Sequence, residues 1–147
     1  MASDSRTIEI LLVEDNPGDV VLIKEALSDA KVRNNLHVVM DGVAAMDFLH
    51  GNKGINPDEI RPGLILLDLN LPKKDGREVL KEVKGDSSLK SIPIVVMTTS
   101  QAEADIIKAY ELQANCYITK PVDFDQLMKV VKSIESFWLH LVQLPPE

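Results

Sequence analysis

The chain has 147 residues, 45% of them hydrophobic and 27% charged, and its 23 acidic against 16 basic residues give a formal net charge of −7. That apolar content excludes an intrinsically disordered chain. The acidic balance argues against nucleic acid as the main ligand, and a single cysteine excludes a disulfide framework or a cysteine-rich metal site.

Short apolar runs alternate with helical periods along the chain. The first run is Ile8-Glu9-Ile10-Leu11-Leu12-Val13, followed by Val20, Ile23, Leu27 and Ala30 on one helix face. The second is His37-Val38-Val39-Met40, followed by Ala45, Phe48 and Leu49. A Gly-, Pro- and Asn-rich stretch from Gly51 to Gly63 reads as the longest loop. Leu64-Ile65-Leu66-Leu67 then precedes Val79, Leu80 and Val83, and Ile94-Val95-Val96-Met97 precedes Ile106, Ile107, Tyr110 and Leu112. The last run, Cys116-Tyr117-Ile118, leads into Phe124, Leu127, Val131, Ile134, Trp138 and Leu141. Runs this short and this rich in β-branched residues read as strands covered on both faces.

Five strands and five helices in strict alternation predict an α/β fold with a parallel sheet, helices on both faces and right-handed crossovers. Five strands fit the flavodoxin-like order 2-1-3-4-5. One domain over residues 1–147 is expected, with an extended C-terminal helix and tail from about residue 123 and no attached output domain. No apolar run approaches about 18 residues and no signal segment follows Met1, so neither a membrane span nor export is expected and the cytoplasm is the expected location.

Ligands of such a sheet bind beyond the carboxyl ends of the strands. There the chain places Glu14-Asp15 after the first strand, Asp68 after the third, Thr98-Thr99-Ser100 after the fourth and Thr119-Lys120-Pro121 after the fifth. Three carboxylates so close repel one another unless a cation lies among them. With only oxygen donors and no His or Cys nearby, that cation is expected to be Mg²⁺, or Mn²⁺. Helix capping accounts for Asn16 and Pro17, but not for Glu14 or Asp68. A carboxylate beside a divalent cation can act as a nucleophile toward phosphorus. The cation, the Lys120 ammonium, and the Thr98 hydroxyl with a backbone N–H would hold the three phosphoryl oxygens.

The acidic pair Glu14-Asp15, Asp68 in LLDLNLPKKDG, Thr98 in VVMTTS and Lys120 in YITKP resemble the signature of the response-regulator (CheY-like) receiver domain over about residues 8–141. VEDNPGD, the long loop before RPGLILLDLNLP and the ending SIESFWL are similar to the small regulators that partner cyanobacterial phytochromes. The resemblance implies a two-component, phosphorelay role. Asp68 would accept a phosphoryl group from a histidine kinase. Asp15, Asp68 and the Asn70 backbone carbonyl would ligate Mg²⁺, with Glu14 acting through water. Lys120 would pair with the phosphoryl, and Thr98 and Tyr117 would form the switch. Such a protein assists its own phosphorylation and dephosphorylation and is not a turnover enzyme. The alternative is a pseudo-receiver, an interaction module of the same fold that is never phosphorylated. A haloacid-dehalogenase-like phosphatase would need an acid where Asn70 stands, and an FMN carrier would need a phosphate loop where the acidic pair stands.

The C-terminal helix carries a second apolar stripe, Val130, Phe137 and Leu144, beside the one for the sheet. Surplus apolar surface marks an interface, so a homodimer through Phe137, Leu141 and Leu144 is expected.

Overall fold

The computed structural model describes residues 7–29, 33–98, 116–119, 125, 127–129 and 132–133, with Ile118 the described side chain of the last strand. The expected fourth helix, Lys120, and Phe137, Leu141 and Leu144 lie outside the described residues.

Apolar runs that must bury both faces form strands, and here they form a five-stranded parallel sheet: β1 (Ile8–Val13), β2 (Asn34–Val39), β3 (Leu64–Asp68), β4 (Ile94–Thr98) and β5 (Cys116–Thr119). The order is β2-β1-β3-β4-β5, as the alternation predicts. Neighbouring registers include Val13↔Val39, Val13↔Leu67, Asp68↔Met97 and Thr98↔Thr119.

Side chains alternate across the sheet with period two. Ile8, Ile10, Leu12, Leu64, Leu66, Val95, Met97 and Ile118 share one core with Ile23, Ala26 and Leu27 of α1 (Pro17–Ser28) and with Leu127. Leu11, Val13, Ile65, Leu67, Ile94 and Val96 share the other with α2 (Gly42–Leu49) and α3 (Gly76–Gly85). Helical backbone is also present at Asp125 and at residues 127–129 and 132–133. Among the described residues no helix is long and apolar enough to cross a membrane.

Each described helix starts on a side-chain cap, which satisfies an N–H that has no partner within the helix. Asn16 Oδ1 accepts from the Asp19 N–H at 3.1 Å and Pro17 opens α1. Asp41 Oδ1 accepts from the Ala44 N–H at 2.8 Å, and Asp75 Oδ1 from the Arg77 N–H at 2.7 Å.

β2 departs from the sequence expectation. It begins at Asn34, earlier than its apolar run, and only its last residue, Val39, is buried. The reason is its place at the sheet edge, where β1 is its one neighbour. Val38 and Met40 are accordingly exposed. A polar cluster spans β1 and β2: His37 Nε2 lies 2.7 Å from Glu9 Oε1, and Asn35 Nδ2 donates to Glu9 Oε2 at 2.9 Å.

Burial alone would raise the Glu9 carboxyl, but hydrogen bonds from His37 and Asn35 and the His37 charge outweigh it and hold the group below its ordinary value of 4.5. A carboxylate with a depressed folded-state pKa contributes stability above its unfolded value and loses it as pH falls through the folded one. Glu9→Gln should therefore melt below the wild type near neutral pH. The gap should close as pH falls from neutral to well below 4.5, and a gap that stays constant over that range in thermal melts would contradict the assignment.

Candidate phosphoryl-acceptor site

The sheet changes direction between β1 and β3. The chain leaves β1 toward β2 on one side, and β3 lies on the other. At such a switch point the strand ends open a crevice, and there the structure gathers Glu14, Asp15 and Asp68. One carboxylate oxygen from each lies within 4.8 Å of the others. Backbone geometry explains this gathering. The Glu14 N–H donates to the Val39 carbonyl at 3.0 Å and the Leu69 N–H to the Met97 carbonyl at 2.8 Å, so both acidic segments continue their strands' ladders before turning away.

Burial makes this cluster unusual. Asp15 is exposed, but Glu14 is 0% and Asp68 2% exposed. Acidic groups often gather on surfaces for no reason of chemistry, whereas ionised carboxylates at buried strand ends are costly unless paired or ligated. Local donors supply part of what they need. Glu14 Oε2 accepts from the Asn16 N–H at 3.1 Å, and Asp68 Oδ1 accepts from the Asn70 N–H at 2.9 Å. An all-oxygen set of three carboxylates fits a hard divalent cation and not zinc or a soft metal.

Thr98 ends β4, the strand next to Asp68, and its side chain is buried. Asn70 follows Asp68 on the exposed loop into α3. Tyr117 lies on β5, its backbone in register with Val96. Lys120 is outside the described residues, and Thr119 before it pairs with Thr98.

Two features of the neighbourhood were not read from the sequence. Gly76 packs against the acceptor strand so closely that a Cβ there would stand 2.3 Å from the Asp68 carbonyl oxygen, and Gly42 packs similarly against Lys74. The Asp-Gly pairs at 41–42 and 75–76 signal capped helix starts, but nothing in them names the backbone atoms they meet.

A parallel sheet of this order with an acidic pocket at the switch point defines a receiver. The family model for the response regulator receiver domain matches residues 10–132, and the chain belongs to that family. Response regulator Rcp1 of Synechocystis sp. is 53% identical over 136 residues, covering 92% of each chain. The crystal structure of the phosphorylated cyanobacterial phytochrome response regulator RcpA superposes with a TM-score of 0.79 at 52% identity, covering 90% of this chain and 94% of that one. The Mn²⁺-bound form of Rcp1 gives 0.80 at 51% identity, covering 94% and 99%. The bacteriophytochrome response regulator AtBRR gives 0.76 at 40% identity, covering 96% and 99%.

Proposed function

We propose that this chain is a cytoplasmic two-component response regulator that accepts a phosphoryl group on Asp68 from the phosphohistidine of a phytochrome histidine kinase. The observation that carries this reading is the buried Asp68 carboxylate at the end of β3, within 4.8 Å of the carboxylate oxygens of Glu14 and Asp15. Kinship with Rcp1 and RcpA supports the phytochrome as the kinase.

In the transfer, an Asp68 carboxylate oxygen attacks phosphorus. The bond from phosphorus to the donor imidazole nitrogen breaks, and that nitrogen keeps the electron pair. Bound at Asp15, Asp68 and the Asn70 carbonyl, with Glu14 reached through water, Mg²⁺ (or Mn²⁺) would offset the charge of the carboxylates and the incoming phosphoryl. The Asn70 N–H already donates to Asp68 Oδ1 and so orients the carboxylate. Lys120 supplies a positive charge to the phosphoryl, and Thr98 a hydroxyl.

The added charge of about −2 biases Thr98 and Tyr117 between two arrangements. That bias alters the surface around β5. The same residues assist hydrolysis of the phosphoaspartate, so the chain resets itself without turning over an external substrate. The receiver unit spans residues 1–147, a reading supported by the match over 10–132.

Phosphotransfer profiling against a panel of histidine kinases that includes a phytochrome tests the partner. The phytochrome should label the chain fastest, and a clear preference for an unrelated kinase would overturn that assignment. Phe137, Leu141 and Leu144 would pair two chains into a homodimer. Equilibrium ultracentrifugation at micromolar concentration should return the mass of two chains, and a clean monomer in both phosphorylation states would remove the dimer.

A further inference from the structure

The segment between β3 and α3 follows Asp68, carries Asn70 and ends at the Asp75 cap. It is held at its end from two directions. On one side, a Cβ at Gly76 would also lie 2.6 Å from Leu69 Cα, so α3 starts in contact with the backbone that leaves the acceptor. On the other side stands α2, whose described residues contribute no carboxylate to the acidic cluster. A Cβ on Gly42, the first residue of α2, would lie 2.1 Å from the Lys74 carbonyl oxygen, 2.6 Å from Lys74 Cβ and 2.8 Å from the Lys74 carbonyl carbon.

Main-chain atoms cannot swing aside as a side-chain tip can. Overpacking at such a contact is relieved only by moving backbone. Gly42 does not have a positive φ, so its glycine is required for space and not for conformation. The contact is reinforced on both partners. Asp41 caps α2, and its other oxygen lies 3.7 Å from Lys73 Nζ. Lys73 turns the chain at φ 65°, directly before Lys74.

We infer that Gly42 is a positioning residue for the acceptor site: lacking a side chain, it seats α2 on Lys74 and thereby fixes the loop that carries Asn70, whose N–H donates to Asp68 Oδ1. This deepens the function proposed above and rests on it. Gly85 provides a matched control, since a Cβ there meets nothing within 4 Å.

In ¹⁵N NMR spectra without metal, Gly42→Ala should shift the amide signals of residues 69–75, and Gly85→Ala should leave them in place. In Mg²⁺ titrations followed on the same signals, Gly42→Ala should weaken binding by about tenfold or more, as losses of supporting contacts around metal sites do. Gly85→Ala should stay within about twofold of the wild type. A folded Gly42→Ala protein that binds Mg²⁺ and takes up phosphoryl from acetyl phosphate as the wild type does would overturn the inference and leave the reading of Asp68 standing. A wild type that neither binds Mg²⁺ nor takes label on Asp68 would overturn both. Should Gly42→Ala not fold, the wild-type titration decides. The Gly42 and Lys74 amides should move with the same apparent affinity as Asn70, and their standing still would overturn the inference.

Discussion

Asp68→Asn is expected to abolish phosphoryl incorporation from acetyl phosphate, a fall on the order of a thousandfold or more. The substitution is nearly isosteric and keeps an oxygen able to accept the Asn70 N–H, which lies 2.9 Å from Asp68 Oδ1. What it removes is the anionic nucleophile, since an amide oxygen is a poor one. It also removes one of three carboxylates whose oxygens lie within 4.8 Å of one another. Without divalent cations the variant should therefore unfold at the same urea concentration as the wild type or a higher one, because like charges in one site oppose folding. Intact mass spectrometry after acetyl phosphate treatment reads the first effect and urea denaturation the second. Label appearing on a neighbouring residue such as Asp15 at the wild-type rate would show that Asp68 is not the nucleophile.

Asn56→Ala is expected to cost about 3 kcal/mol of folding stability without harming the acceptor. Asn56 sits in the long loop between α2 and β3, yet is only 2% exposed. Its Nδ2 donates to the Phe48 carbonyl at 2.9 Å and the Ile60 carbonyl at 2.8 Å, and its Oδ1 accepts from the Ile60 N–H at 2.9 Å. Truncation leaves these three backbone groups without those bonds, and a buried polar group left without its partner costs about 1–3 kcal/mol. A loss of about 3 kcal/mol lowers the melting temperature of a chain this size by about 6–12 °C. Well below melting, labelling of Asp68 should proceed at the wild-type rate, because these contacts lie away from the acidic pocket. A loss under about 1 kcal/mol would mean that the loop can re-form its hydrogen bonds without Asn56.

The contrast between these residues shows what could be read from the sequence. Asp68 stands out because a charged residue ends a wholly apolar run, and parallel strands must bring their carboxyl ends to one edge. The same logic brings Glu14, Asp15 and Thr98 to that edge. The strands β1, β3 and β4 were legible because they are buried and continuous. The start of β2 was not, because Asn34 and Asn35 are poor strand formers whose extended backbone pairs with Ile8 and Glu9 in the assembled sheet.

Asn56 looked like any polar loop residue. Its burial depends on where Phe48 and Ile60 place their carbonyls, which no local pattern encodes. Gly42 is similar: an Asp-Gly pair announces a helix start, but the backbone of Lys74 lies far along the chain. Close packing of main chain on main chain is a property of the assembled fold and leaves no periodic trace in the sequence. Arg61, which bridges from the same loop to the Ser88 carbonyl and to Ser91 Oγ, is a third example.

The central claim is that the strand tips present Asp68 as the atom-level destination of the phosphoryl group. The most direct test is chemical mapping on the wild-type chain. The protein is treated with acetyl phosphate and Mg²⁺, then reduced with borohydride, which converts an aspartyl phosphate to homoserine, and sequenced by peptide mass spectrometry. Homoserine at position 68, dependent on Mg²⁺, is the expected result. Homoserine at another aspartate, or none in the presence of Mg²⁺, would contradict the account.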